Sequence, residues 1–440
     1  MKFDKFFELA KKAGIEEAEI HVSQSRNLSF SLFHGEVDNY SDNNAFSISA
    51  RGIVNGRLGS AACDVWSNEK AEFLVNEIVA NAKISESEDP VFIFEGSEKY
   101  KRISLYNNEL ENVSIDVKMA KLHELENKIK TIDERIIEVE GVEYSESKSV
   151  LTIMNSKGLK LSQKSNYFIF FGGAVAKEGE QVKTNGELYF GNDFAKFDVD
   201  ALANKIVKNT VDQLGGEPCE SNNYKAVLSP NVVKSLMGFF VSSADAEQVQ
   251  KRSSLFIGKL GQKVASSKVT IEDRPLDKTL FASSFDDEGV ATYNKAIVKN
   301  GVLQTYLYNL TTAAKDGVKT TGNASGAGSK VGIAPAFLVL KPGKKTQEEL
   351  FQDVGNGVYI TDVQGLHAGM NAQSGNFSLQ STGFLIKDGK KDRGLDIITI
   401  SGNLVDVFKS IVAVGNDVET FPSAVSCPSV MLSKIAVSGK

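Results

Sequence analysis

The chain has 440 residues, enough for two sizeable hydrophobic cores and too many for one ordinary domain. Hydrophobic residues make up 41% and charged residues 24%, the balance of a folded chain rather than a disordered one. The formal charge of −6 gives no counterion-release gain on a phosphate backbone, which disfavours a general nucleic-acid role.

Cys63, Cys219 and Cys427 are far apart and odd in number, which is no disulfide framework and fits a reducing compartment. Residues 1–12 are charged and amphipathic, unlike a signal peptide. The most apolar stretch, 167–176, is far shorter than the roughly 18 residues a spanning helix needs. The expected location is therefore cytoplasmic, with no membrane contact.

Phe3, Phe6, Phe7, Leu9 and Ala10 recur at helical spacing, and Gly14 follows as a stop. Short alternating runs at 18–22, 28–33 and 46–50 predict strands. Asn55-Gly56 between two apolar pairs is a two-residue hairpin signal. Ser67 caps a helix carrying Phe73, Val75 and Ile78, and a long charged helix is expected over about 116–133. From 136 to 191 the texture is strands with Gly and Asn turns, and a helix over about 198–214 closes an α+β first half.

Gly215-Gly216-Glu217-Pro218 reads as the linker, placing an N-terminal α+β domain at 1–218 and a mainly antiparallel β domain at 219–440. After a strand at 224–228, Ser229-Pro230 pairs an N-cap with proline at the first helical position, and the helix is expected to run from 231 to about 251. Asn300-Gly301 marks a second hairpin between 296–298 and 303–307. Thr346 with Glu349 makes a capping box. Further strands are expected at 358–361, 381–386, 396–401 and 429–437.

Four histidines are present, His21, His34, His123 and His367. His123-Glu124 opens like a zinc-protease motif, but no second histidine follows on that helix, so it reads as a polar residue on a solvated face. His21 and His34 read as ordinary sheet residues. No Gly-x-Ser-x-Gly, phosphate loop or dinucleotide fingerprint occurs. The glycine-rich stretch 322–328 lacks the closing Lys-Ser or Lys-Thr and reads as a mobile or substrate-bordering loop.

Two clusters remain. Asp286-Asp287-Glu288 before Gly289 brings three carboxylates together, which could raise one pKa for acid–base work or receive a peptide N-terminus; an acidic turn between strands accounts for it as well. His367 and Ser374 lie within the glycine-bordered segments 365–369 and 374–378, a composition that suits a ligand-contacting surface or a structural turn.

The second half resembles the TldD/PmbA proteins (peptidase U62 type), and within them the PmbA (TldE) branch. The resemblance rests on SSLFIGKLGQKVAS (253–266), FDDEGVATYNKAIVKNGVLQTYLYN (285–309), TTGNASG (320–326), SGNFSLQSTGFLIKDGK (374–390), ITISGNLVDVFKSIVAVGND (398–417) and SCPSVMLSKIAVSG (426–439). Their order and spacing run unbroken over about 224–440. ELAKKAGIEEAEI (8–20) and HGEVDN (34–39) carry it more weakly into the first half.

In the TldD branch the helix before the first of these stretches carries His-Glu-x-x-x-His, and a later cysteine completes a zinc site. The register of the resemblance puts the two histidines on Met237 and Ser242 and the glutamate on Gly238. Cys427 lies in the region that supplies the sulfur ligand; alone it reads as a buried residue. The resemblance implies a subunit without catalytic residues or cofactor of its own, pairing as a dimer with a zinc-bearing TldD-type peptidase or with itself and acting on unfolded or small peptides. The alternatives are a self-sufficient hydrolase using Cys427 or the Asp286–Glu288 carboxylates (Asp287 foremost), or a gyrase-modulating binding protein. Asp286, Asp287, Glu288, His367 and Ser374 are the substrate-channel candidates.

Overall fold

The computed structural model of the chain describes residues 2–440. Helix α1 (Asp4–Lys12) ends where Gly14 turns into the left-handed region, φ 79°. The short alternating runs expected near the N-terminus are parts of two long strands, β1 (Glu17–Phe33) and β2 (Glu36–Val54), because pairing continues through the polar residues between them. His34 lies in the turn joining them, φ 53°, and not in a strand as the sequence suggested. Asn55 and Gly56, both at positive φ, close the hairpin to β3 (Arg57–Cys63). Ser67 caps α2 (Asn68–Ile84) by accepting from Lys70 N, and Ser114 caps α3 (Ile115–Ile132) through Val117 N. Strands β4 (Ile136–Asn155), β5 (Lys160–Glu178) and β6 (Gln181–Gly191) and the helix α4 (Val199–Val211) complete the first part.

The six strands form one sheet in the order β3-β2-β1-β4-β5-β6. Side chains alternate between faces, so Ala18, Ile20, Val22, Leu28, Phe30 and Leu32 of β1 share one face. The first three join a core with α1 and α2, and the last three join a second core with α3 and α4. On the opposite face the same strand places Glu19 and His21, which are also buried.

The remainder begins with β7 (Asn222–Leu228) and α5 (Pro230–Ser242), capped by Ser229. The helix expected to continue to about 251 instead breaks after Ser242 and restarts as α6 (Ala246–Gln250). Asp245 caps the new helix through Glu247 N, and Leu307 bonds both Ala244 O and Ala246 N, taking backbone groups that a continuous helix would use itself. There follow β8 (Ile271–Asp273), β9 (Lys295–Lys299), β10 (Val302–Leu303), α7 (Leu310–Asp316), β11 (Ala324–Ser325), β12 (Gly332–Ile333) and β13 (Leu338–Leu340). The Asn300-Gly301 hairpin is present, but its second arm keeps strand pairing only over Val302–Leu303. The capping box of Thr346 and Glu349 opens α8 (Gln347–Val354). The chain ends with β14 (Gly357–Gln364), α9 (Leu366–Gly369), β15 (Asn376–Lys387), β16 (Lys390–Asn403), α10 (Leu404–Ser410), β17 (Ile411–Val414), β18 (Glu419–Phe421), β19 (Val425–Cys427) and β20 (Val430–Ser438).

Two six-stranded sheets result, β16-β15-β14-β7-β20-β17 and β10-β9-β8-β13-β19-β18, with α5 in the core that joins them. Their pairing is antiparallel except for β7–β14 and β13–β19. Helices and mainly antiparallel sheets segregate along the chain, an α+β fold. No helix among the described residues is long and apolar enough to cross a membrane.

Candidate functional site

The helix α5 carries the three positions that the resemblance aligned with a zinc motif. Met237 is fully buried, while Gly238 and Ser242 are exposed, and Ser242 Oγ donates to Phe239 O at 2.8 Å. A helix turns 100° per residue, so positions five apart point in different directions, and here one faces the core and the other solvent. A Cβ added at Gly238 would meet nothing within 4 Å.

Cys427 ends β19 beside α5, completely buried, with Sγ 3.3 Å from Pro230 O. Burial, reinforced by Glu419, pushes the thiol up to about 12. A metal ligand or nucleophile needs the thiolate, and this environment holds the neutral thiol. Thioether, hydrogen, hydroxyl and protonated thiol do not make a zinc donor set, so the residues here do not fit the ion that the TldD-branch motif would hold. No group of three His, Cys, Asp or Glu side chains among the described residues is arranged to hold a metal.

The carboxylate turn is a joint between the two parts of the chain, not a surface feature. Asp286 Oδ1 accepts from Glu288 N at 3.0 Å and Val290 N at 2.9 Å, and Oδ2 accepts from Ala324 N at 3.0 Å. Burial, helped by the charge of Glu288, pushes Asp286 up to about 7 against the pull of those three donors. Asp287 accepts from Gly326 N at 2.6 Å and Glu288 from Leu310 N at 2.8 Å. The stretch 322–328, expected as a mobile or substrate-bordering loop, donates to two of these carboxylates through Ala324 N and Gly326 N. Tyr100 from the first part donates to Gly289 O at 2.7 Å, and Ser97 accepts from Ala291 N at 3.0 Å.

Beneath that joint lies a polar network that the sequence did not reveal. Arg51 of β2 is paired in register with Glu19, and its Nε donates to Glu19 Oε1 at 2.8 Å. Arg51 Nη2 is 2.7 Å from the same oxygen but poorly aligned, leaving a buried donor without a well-directed acceptor. Its Nη1 stands 4.0 Å from Glu288 Oε1, too far for a direct hydrogen bond. His21 Nε2 lies 3.1 Å from Glu19 Oε1. Burial alone would raise the Glu19 pKa, but His21 and Arg51 more than offset it and hold the group below the usual range. Alternation offered the one available signal: Glu19 and His21 interrupt an otherwise apolar run at every second position.

His367 and Ser374 are exposed on the segment around α9, with Ser374 O accepting from Asn403 Nδ2 at 2.8 Å. His123 is half-buried on α3. Two clefts among the described residues bear on function. One, of about 440 Å³, opens between residues 85–92 and α6–α7, with Arg51 and Glu288 in its lining. The other, of about 430 Å³, lies where edge strands β6 and β18 face the first turns of α5, lined by Phe171, Tyr189, Phe190, Asn231, Lys234 and Phe421.

Family models identify this scaffold as metallopeptidase-like. Residues 221–439 match the PmbA/TldA metallopeptidase C-terminal domain, residues 108–214 the central domain and residues 18–82 domain 1. The chain belongs to the PmbA/TldD family. It is 26% identical to the metalloprotease PmbA of Escherichia coli O157:H7 over 433 residues, 96% of this chain and 92% of that protein. The crystal structure of a Thermotoga maritima protein described as a candidate modulator of a DNA gyrase is 32% identical, with a TM-score of 0.91 and 99% of each chain covered. TldE of Thermococcus kodakarensis has the same fold, with a TM-score of 0.90 at 24% identity and 99% of each chain covered.

Proposed function

We propose that this chain is a TldE/PmbA-type subunit that contributes no metal ligand and pairs with a TldD-type zinc peptidase acting on unfolded or small peptides. What carries this reading is α5: a buried thioether at 237, no side chain at 238 and an exposed hydroxyl at 242, beside a thiol pushed up to about 12. The β-rich half then serves as dimer surface and one wall of a peptide channel. The exposed segment bearing His367 and Ser374, and the cleft beneath the edges of β6 and β18, are the parts of that wall we favour, since unpaired strand edges accept extended chains. Asp286 and Glu288 are engaged by backbone donors, and in this reading they hold the fold rather than substrate.

Affinity purification from the native cell, followed by metal analysis of each separated chain and peptide-cleavage assays on each alone, tests this. The expected result is a zinc-bearing partner, with neither zinc nor cleavage in this chain. Zinc-dependent cleavage by this chain alone would refute the assignment. Gyrase recovered in place of a peptidase, at physiological salt, would favour the role named for the Thermotoga maritima protein.

A further inference from the structure

We propose that the cleft between residues 85–92 and α6–α7 is a binding site for a small organic carboxylate with an apolar body, its carboxylate seated on Arg51. The cleft's volume, about 440 Å³, falls in the range of about 300–1,000 Å³ usual for small-molecule sites. On one side it has an apolar wall of Leu58, Pro90, Val91, Phe92 and Val331. Phe92 is 40% exposed, an uncovered aromatic at the edge of a concave surface. Deeper in the lining are Arg51, Glu288, Asn309 and Thr312, each more than nine-tenths buried. Burying that much polar surface is costly unless each group is bonded, and the guanidinium is the member least satisfied.

Arg51 gives only its Nε cleanly to Glu19. Nη2 is left without an aligned acceptor, and Nη1 faces Glu288 across a gap of 4.0 Å. A guanidinium makes charge-assisted hydrogen bonds to a carboxylate oxygen, and Nη1 is the nitrogen with no acceptor within hydrogen-bond distance. The nearer alternative, Glu288, already accepts at Oε2 from Leu310 N. At the mouth, Lys251 pairs with Glu247 and Lys315 with Asp89, both at 2.5 Å, while Lys330 reaches only the already occupied Glu247, at 3.6 Å. One ammonium group is therefore left over to draw a negative charge inward. A carboxylate could arrive on a free organic acid or at the C-terminus of a short peptide, and both carry the chemistry that this cleft is built to take.

Titration calorimetry on the full chain, with hexanoate, the dipeptide Ala-Leu and Ala-Leu amide as probes, tests the proposal. At least one of the two acids is expected to bind, with the amide at least tenfold weaker than the dipeptide acid if the latter binds. Binding of both acids assigns carboxylates generally, of the dipeptide alone a peptide C-terminus, and of hexanoate alone a free acid. Ser87→Trp, at an exposed position of the rim, and Lys330→Glu should each weaken the bound acid, Ser87→Trp by at least tenfold. Arg51→Met should abolish binding; should that variant not fold, the two rim variants decide. No binding of either acid at about 10 mM, equal affinity for dipeptide acid and amide, or undiminished binding in Ser87→Trp overturns the proposal.

Discussion

Cys427 Sγ lies 3.3 Å from the carbonyl oxygen of Pro230, so the thiol donates into the first turn of α5. The orphan groups of a first turn are its amides, while its carbonyls accept within the helix, so the thiol is an additional donor to Pro230 O. Ionising Cys427 would turn this donor into a buried anion facing a carbonyl. The expected outcome is that native protein at pH 8 reacts with a thiol reagent at Cys63, the one partly accessible cysteine, while Cys219 and Cys427 react only after denaturation. Rapid labelling of Cys427 in the folded chain, read by peptide mass mapping, would contradict its assigned state.

Met237 and Ser242 should respond oppositely to truncation. Met237 is completely buried, so Met237→Ala removes packed volume and should cost about 2–5 kcal/mol by chemical denaturation. Ser242 is exposed, and Ser242→Ala should fall within about 0.5 kcal/mol of the parent. Similar losses at both positions would mean that the two side chains share an environment.

Asp286 should make stability depend on pH. Its pKa is raised to about 7, above the unfolded value near 4, so between those limits the native chain holds a proton that the unfolded chain has released. The contribution is therefore complete below pH about 4 and is lost as pH rises through about 7. In Asp286→Asn the stability gap to the parent should narrow with rising pH by up to about 1.4 kcal/mol per unit. Urea denaturation at several pH values between 4 and 8 measures it, and a constant gap would rule out the titration.

Gly59→Ala should be among the most damaging small changes in the first sheet. A Cβ there would collide with Ile78 O and crowd Ala82 N at 2.8 Å, both backbone atoms of α2. Backbone cannot swing aside as a side chain does, so the helix must lift off β3. A loss above about 3 kcal/mol is expected, measured as a lowered denaturation midpoint with an unchanged slope.

What could be read from the chain was mostly local. Asn55-Gly56, Asn300-Gly301, Ser67, Ser229 and the Thr346–Glu349 box act within a few residues, and each does what its chemistry requires. The break after Ser242 was not legible, because it depends on Leu307 capturing the backbone on both sides of Asp245. The group of Glu19, His21, Arg51 and Glu288 was hidden for the same reason: its members come from β1, β2 and a turn far along the chain. Burial of Asp286 and Glu288 also escaped a reading in which consecutive acids signify solvent.

The first sheet also fixes how the N-terminal part must come apart. A single uninterrupted strand, β1, supplies the packing residues of both cores, three at each end of one face. Sliding that strand by one residue against its neighbours would swap faces along its whole length, stripping six apolar side chains from beneath four helices and driving Glu19 and His21 in among them. The two cores are thus mechanically coupled, and the N-terminal part should melt in one step, without an intermediate that keeps half of its helices docked.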